Sequence, residues 1–255
     1  MPSPSSPFDL TGRTALVTGA SGGLGAGMAI GLAAAGADVV CHGLVPVDDT
    51  MARIRALGRR TAAVLGDLGE KTAAARIADE AERALGPVDI LVNNAGTIRR
   101  APAAEHSDDD WDLVIAVNLS SVFRLSREFG RRWIARGARG KIVNIASLLA
   151  FQGGILVPGY AAAKGGVAQI TKALANEWAG RGINVNAIAP GYMATDNTAP
   201  LRADATRSRQ ILERIPANRW GTPEDLAGAA VFLSSAASDY VNGHVLVVDG
   251  GWLAR

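Results

Sequence analysis

Tyr160 and Lys164 stand four residues apart at the start of an Ala- and Gly-rich segment with a helical pattern, so their side chains leave from one face. A free phenol with a pKa of about 10 is a poor base at neutral pH, and a fixed ammonium beside it would favour the phenolate. Alone, such a pair reads first as an ordinary exposed Tyr and Lys on one helix. Ser147 lies thirteen residues earlier, at the end of an expected strand. In an open α/β sheet that edge is where ligands bind, and the hydroxyl there could hold a substrate oxygen.

A second group of residues suits a phosphate. Thr18-Gly19-Ala20-Ser21-Gly22-Gly23-Leu24-Gly25 joins a short apolar strand to a helical segment. Glycines there let the backbone approach a pyrophosphate at the helix N-terminus, although the same cluster also makes a plain tight turn. Asn93-Asn94-Ala95-Gly96 follows another expected strand, where its amides can tie neighbouring strands and border a cofactor. Asn118, a weak helix former, sits inside a long helical pattern. There it either frees a backbone carbonyl for a bound water or faces solvent. Asp67 and Leu68 follow strand three, where they contact an adenine or form a simple turn. Pro190 and Gly191 follow strand six, as a wall beside a nicotinamide or as a turn.

These residues need a scaffold that brings strand ends together. Apolar runs at Arg13 to Thr18, Asp38 to His42, Thr61 to Gly66, Val88 to Asn93, Gly140 to Ser147, Ile183 to Ile188 and His244 to Val248 read as seven strands. Between them fall helical patterns at Gly25 to Ala35, Thr50 to Leu57, Lys71 to Leu85, Asp108 to Ile134, Tyr160 to Ala179 and Pro223 to Leu233. Such alternation calls for a Rossmann-type doubly wound α/β parallel sheet with helices on both faces, as one domain over 1–255. The Pro/Ser-rich lead, 1–8, is expected to be mobile, and 191–215 breaks the rhythm as a substrate loop or lid.

Composition narrows the partners. With 26 basic and 24 acidic residues the net charge is +2, and the basic residues are scattered, so nucleic acid is not an expected partner. No apolar stretch reaches the length of a membrane span. His42, His106 and His244 lack metal-ligand spacing, and no metal is expected. One cysteine, Cys41, and an opening without a signal-peptide pattern point to the cytoplasm.

Taken together, the Thr18-to-Gly25 loop, Asn93 to Gly96, Asn118, Ser147, Tyr160-x-x-x-Lys164 and Pro190-Gly191 resemble the short-chain dehydrogenase/reductase family across almost the whole chain. The resemblance implies that Tyr160 exchanges the substrate proton and Lys164 holds the cofactor ribose and lowers the Tyr160 pKa. It also implies that Ser147 orients the reacting oxygen and Asn118 anchors a relay water. Gly19, Ser21, Gly23, Leu24, Gly25, Asp67, Leu68, Asn94, Ala95, Gly96, Pro190, Gly191, Met193 and Thr195 would join Tyr160 and Lys164 around the dinucleotide. A homotetramer built through the two long helices is implied as well.

Gly96 to Arg100, Phe151 to Gly154, Ala189 to Thr195, Arg219 to Gly221, Ser238 to Gly243 and the final Asp249 to Arg255 resemble a narrower group. It comprises dehydrogenases of 2-deoxy-D-gluconate and 2-dehydro-3-deoxy-D-gluconate. That implies a keto-deoxy sugar acid as substrate, with Gln152 near its hydroxyls and Arg99 or Arg100 as a planar fork for its carboxylate. The alternatives are a reductase of 3-oxoacyl or other carbonyls on the same fold, and a dinucleotide-binding regulator without turnover. Strand two ends Cys41-His42-Gly43-Leu44, with neither a ribose-binding Asp nor a phosphate-binding Arg. NAD is the expected cofactor, with NADP as the alternative.

Overall fold

In the computed structural model, which describes residues 6–255, a seven-stranded parallel sheet has the order β3-β2-β1-β4-β5-β6-β7. In chain order the first half runs β1 (Thr14–Thr18), α1 (Gly23–Ala34), β2 (Asp38–Gly43), α2 (Asp48–Ala56), β3 (Thr61–Leu65), α3 (Ala73–Leu85) and β4 (Ile90–Asn93). The second half continues with α4 (Asp108–Ile115), α5 (Ser121–Arg136), β5 (Gly140–Ile145), α6 (Pro158–Trp178) and β6 (Ile183–Pro190). It closes with α7 (Ala199–Ala203), α8 (Ala205–Arg214), α9 (Ala227–Ser234) and β7 (Val245–Val248).

Strand residues alternate between the two faces, as a period of two requires. Ala15, Val17, Val39 and Cys41 pack with Met28 and Leu32 of α1, Ile54 of α2 and Leu233 of α9. Leu16, Val40 and Leu91 pack on the other face with Ile77 of α3, Phe129 and Trp133 of α5 and Trp178 of α6. Both faces are covered, so the strands are apolar almost throughout. The winding direction reverses between β1 and β4, and ligands of such sheets bind outside the carboxyl ends of the strands at that point.

At the opposite, amino edge the strands begin on ion pairs. Asp38 accepts from Arg59 at 2.8 Å and Arg60 at 2.6 Å. Asp89 accepts from the Thr14 amide at 2.9 Å and from Arg13 at 3.1 Å. Asp239 pairs with Lys141 at 2.8 Å and Arg139 at 2.9 Å.

Three sequence expectations change. The helix expected over Asp108 to Ile134 is interrupted by a π-helical turn, Ala116–Ser120, with the buried Asn118 at its middle. The 191–215 stretch is not simply a loop: it folds α7 and α8. Asp204 caps α8 by accepting from the Thr206 and Arg207 amides at 2.9 and 3.0 Å. Of the lead expected to be mobile, residues 1–5 lie outside the described residues. Its last part is held, because the Pro7 carbonyl accepts from the Ala237 amide at 3.0 Å and Phe8 packs 6.4 Å from Phe232. No helix among the described residues is long and apolar enough to cross a membrane.

Candidate active site

The Gly-rich turn leaves β1 at the reversal point. A Cβ on Gly25 would lie 2.1 Å from the Gly19 carbonyl oxygen, and one on Gly19 would lie 2.9 Å from Ala95, so the turn closes only with glycine at both positions. The first turn of α1 has no side-chain cap, and beside Gly22 there is open space. Its unpaired amides and the positive end of the helix dipole therefore face outward, an arrangement that fits a pyrophosphate.

The Asn93 to Gly96 turn is fastened to this cradle. The Thr18 hydroxyl accepts from the Asn94 and Ala95 amides at 2.9 and 3.0 Å. The Asn94 amide donates to the Thr18 and Gly19 carbonyls, and Asn93 donates to Asn144 at 2.9 Å, so both asparagines tie strands. Thr195 reaches over the turn from the segment after β6, with its methyl 3.6 Å from where a Gly23 Cβ would stand. Met193 is buried, Ser21 is exposed at the mouth, and Leu24 packs on the core. Gly191 lies against Asp249, where a Cβ would come within 2.6 Å of its Cα. Asp67 accepts from the Gly69 amide at 2.7 Å, as a turn residue does, and Leu68 is buried beneath α3.

Across the reversal point Ser147, Tyr160 and Lys164 come together. Ser147 follows β5, caps a short 3-10 turn by accepting from the Leu149 amide at 3.2 Å, and acts on the Tyr160 phenol. Burial pushes the Tyr160 phenol up, while Ser147 and the charge of Arg100 act against this. Lys164, one turn along α6, is 4% exposed; its ammonium donates to the Ile145 carbonyl at 2.6 Å and lies 5.5 Å from the centre of the Tyr160 ring. Burial without a carboxylate partner pushes it down to about 8. Asn118 does not face solvent. Its side chain accepts from the Thr97 amide at 2.7 Å and donates to the Thr97 carbonyl at 2.8 Å, fixing the segment beyond Gly96, and Leu119 packs on α6 beside Gly166.

A cavity of about 510 Å³ opens from Ser147 between β5, β6, α8 and the last turn of the chain. Arg100 and Gln152 line it, as the sequence proposes for substrate residues. Arg99 does not: it turns outward to Asp110 at 3.0 Å. The sequence reasoning missed Arg207 and Arg214 on α8, together with Tyr192 and Trp252. The period Arg207, Gln210, Ile211, Arg214 was the available signal, since it marks one face of a helix.

At the end of β2, His42 is buried, donates from Nε2 to the Gly66 carbonyl at 3.1 Å, and is pushed down to about 4 by burial. Leu44 beyond it is exposed.

A parallel sheet with a glycine-lined anion cradle on one side of its reversal point and a hydroxyl, a phenol and an ammonium on the other is the framework of a Rossmann-type oxidoreductase. The chain belongs to the short-chain dehydrogenase/reductase family, and residues 19–253 match the family model described as Enoyl-(Acyl carrier protein) reductase. It is 55% identical to the 2-dehydro-3-deoxy-D-gluconate 5-dehydrogenase of Dickeya dadantii (strain 3937) over 97% of this chain and 98% of that one. Identity to the enzyme of the same name from Escherichia coli (strain K12) is also 55%, over 98% and 99%. Among solved structures, a protein from Agrobacterium tumefaciens described as a 2-deoxy-d-gluconate 3-dehydrogenase, with bound NADP, superposes with a TM-score of 0.93. It shares 57% identity and covers 98% of this chain and 100% of that one. A protein from Beutenbergia cavernae, described as an NAD(P) dependent gluconate 5-dehydrogenase with bound NADP, gives 0.94 at 53% identity, again with 98% and 100% covered.

Proposed function

We propose that the chain moves a hydride between a nicotinamide dinucleotide and a keto-deoxy sugar acid of the 2-dehydro-3-deoxy-D-gluconate or 2-deoxy-D-gluconate type, ketouronates included. The observation that carries this reading is the wall of the cavity at Ser147, where Arg100, Arg207 and Arg214 stand without a single acidic side chain. An anionic substrate near a cofactor pyrophosphate needs such cations, whereas an acyl chain would set apolar matter against three guanidinium groups. The names of the relatives at 55% identity support the same substrate class.

In this reading the α1 amides and the Gly19 to Gly25 turn hold the pyrophosphate, and Asn94, Ala95, Gly96, Pro190, Gly191, Met193 and Thr195 border the rest of the dinucleotide. The nicotinamide supplies the hydride acceptor or donor. Tyr160 takes the hydroxyl proton in oxidation and returns one in reduction. Ser147 holds the reacting oxygen toward the phenol, and Lys164 binds ribose hydroxyls while its charge favours the phenolate. Asn118, by fixing the segment around Thr97, shapes the wall where a relay water would stand.

Strand β2 brings no carboxylate to repel a 2′-phosphate and no guanidinium to pair with one, since His42 is buried and neutral and Leu44 is apolar. Selection between NAD and NADP is therefore weak. Use of both NAD and NADP is expected, the latter in keeping with the NADP bound in the solved neighbours, with kcat/KM for the two within about tenfold, or roughly 1.4 kcal/mol. Assay of sugar acids, uncharged ketones and 3-oxoacyl thioesters with each cofactor tests the reading. Turnover confined to thioesters would overturn it.

Phe123 on α5 is 38% exposed, and a Cβ on Gly165 of α6 would meet nothing, so these helices offer a face to another copy, in keeping with a homotetramer. Ala163, Gly166 and Ala168 pack within the chain instead. Light scattering at micromolar concentration reads the mass. A lone, buried Cys41 and the substrate class suit the cytoplasm.

A further inference from the structure

We infer that Arg214, braced on the ring of Trp252, holds the carboxylate of the sugar acid at the end of the cavity away from Tyr160. The inference rests on the sugar-acid reading above and assigns its charge recognition to residues that the sequence reasoning did not select.

Three guanidinium groups enter the cavity, and they differ in what already occupies them. Arg100 donates to the Asn197 carbonyl at 2.9 Å, and its charge acts on the Tyr160 phenol, so it stands at the reacting end. Arg207 donates to Gln210 at 3.1 Å. Arg214 has no carboxylate partner and no protein acceptor among the described residues; its guanidinium lies over the Trp252 ring, 4.0 Å from the centroid. That contact covers one side of the group and leaves N–H donors free for a planar anion.

Trp252 is itself held. It is 5% exposed, and its indole nitrogen donates to Gln152 at 3.3 Å. Gln152 lies on the segment that begins at Ser147, so the backbone links Ser147 to Gln152, and side-chain contacts lead on through Trp252 to Arg214. Arg255 donates to the Glu213 carbonyl and pins the end of α8 to the end of the chain. On the outer side of α8, Arg209 and Glu213 pair with each other at 3.8 Å, so that acid does not compete for Arg214. A sugar acid whose reacting carbon lies far from its carboxyl carbon spans this wall, with its hydroxyls passing Gln152 and its carboxylate reaching Arg214.

The experiment compares the sugar acid with its methyl ester, in wild type and in Arg214→Ala, Arg214→Lys and Trp252→Leu. One charged hydrogen bond at a partly exposed site is worth roughly tenfold in affinity. Arg214→Ala should therefore raise KM for the acid about tenfold or more, with kcat changed far less, and the ratio of acid to ester kcat/KM should fall by the same factor. Arg214→Lys should recover part of the ratio, and Trp252→Leu should lose much of it although the arginine remains. Should Arg214→Ala fold poorly, by circular dichroism or cofactor affinity, the ratio in Arg214→Lys and Trp252→Leu decides alone. A wild-type preference for the acid that survives in these variants overturns the inference and leaves the substrate reading intact. A wild type that turns over neither acid nor ester overturns the substrate reading, and the inference with it.

Discussion

The two edges of the sheet treat buried charge in opposite ways. At the amino edge Lys141, with its side chain 12% exposed, meets Asp239 at 2.8 Å, and every strand-end acid there has at least one arginine or lysine. At the carboxyl edge Lys164 is more deeply buried, yet only a backbone carbonyl receives its ammonium. His42 Nδ1 and Asn93 Oδ1, also at that edge, are buried without a protein partner; Ser234 Oγ is the corresponding atom at the other edge. Charges at the amino edge are neutralised within the fold, whereas in the proposed function the unpaired Lys164 is the one that meets the cofactor. One sheet therefore separates durability from chemistry by the direction of its strands.

Exchanging a single atom at the carboxyl edge should have the largest effect. Tyr160→Phe removes the group proposed to transfer the proton and should lower kcat by about 100- to 10,000-fold while leaving the thermal midpoint and cofactor affinity close to wild type. Near-normal turnover would show that the two edges do not divide the work in this way.

Lys164→Met probes what the unpaired ammonium costs. Its folded pKa of about 8 lies below the ordinary 10.5. Below pH 8 the lysine is charged in both states and its burial destabilises the fold, by about 3 kcal/mol at most. Between pH 8 and 10.5 the unfolded chain binds more protons, so wild-type stability should climb with pH. The cofactor-free Met variant should be more stable than wild type at pH 7, lack that climb, and be nearly inactive. A less stable variant at pH 7 would refute the contrast with Lys141.

The smallest effect belongs to the amino edge. Asp239→Asn removes the partner of Lys141 and Arg139, and because Asp239 is 39% exposed the loss should be only about 1–2 kcal/mol in urea unfolding. Here kcat should not change. A kinetic defect as large as that of Tyr160→Phe would mean that the edges are coupled.

Local patterns in the sequence reached the frame and the cradle. Glycine spacing marked the β1–α1 turn because a Cβ at Gly25 has nowhere to go, and apolar runs marked strands that are covered on both faces. The break in the helix at Ala116–Ser120 was not legible, since it depends on Asn118 bonding to Thr97 on another segment. Nor were α7 and α8, where polar residues on a surface helix look like a loop until one face is seen to line a cavity. Arg214 and Trp252 meet only through the tertiary fold, whereas Arg99, chosen for lying beside the cofactor turn, is claimed by Asp110.

The strand order also bears on how the polypeptide leaves the ribosome. Ala15, Leu16 and Val17 pair on one side with β2, which follows at once, but on the other with Ile90, Leu91 and Val92, 75 positions further along. At about 5–20 residues per second, the central strand keeps one bare flank of unpaired backbone N–H and C=O groups for roughly 4–15 s of translation. For that interval the nascent chain carries an open edge that another polypeptide could join, so the steep step in yield during expression should track chaperone supply and elongation speed up to the emergence of Asn93.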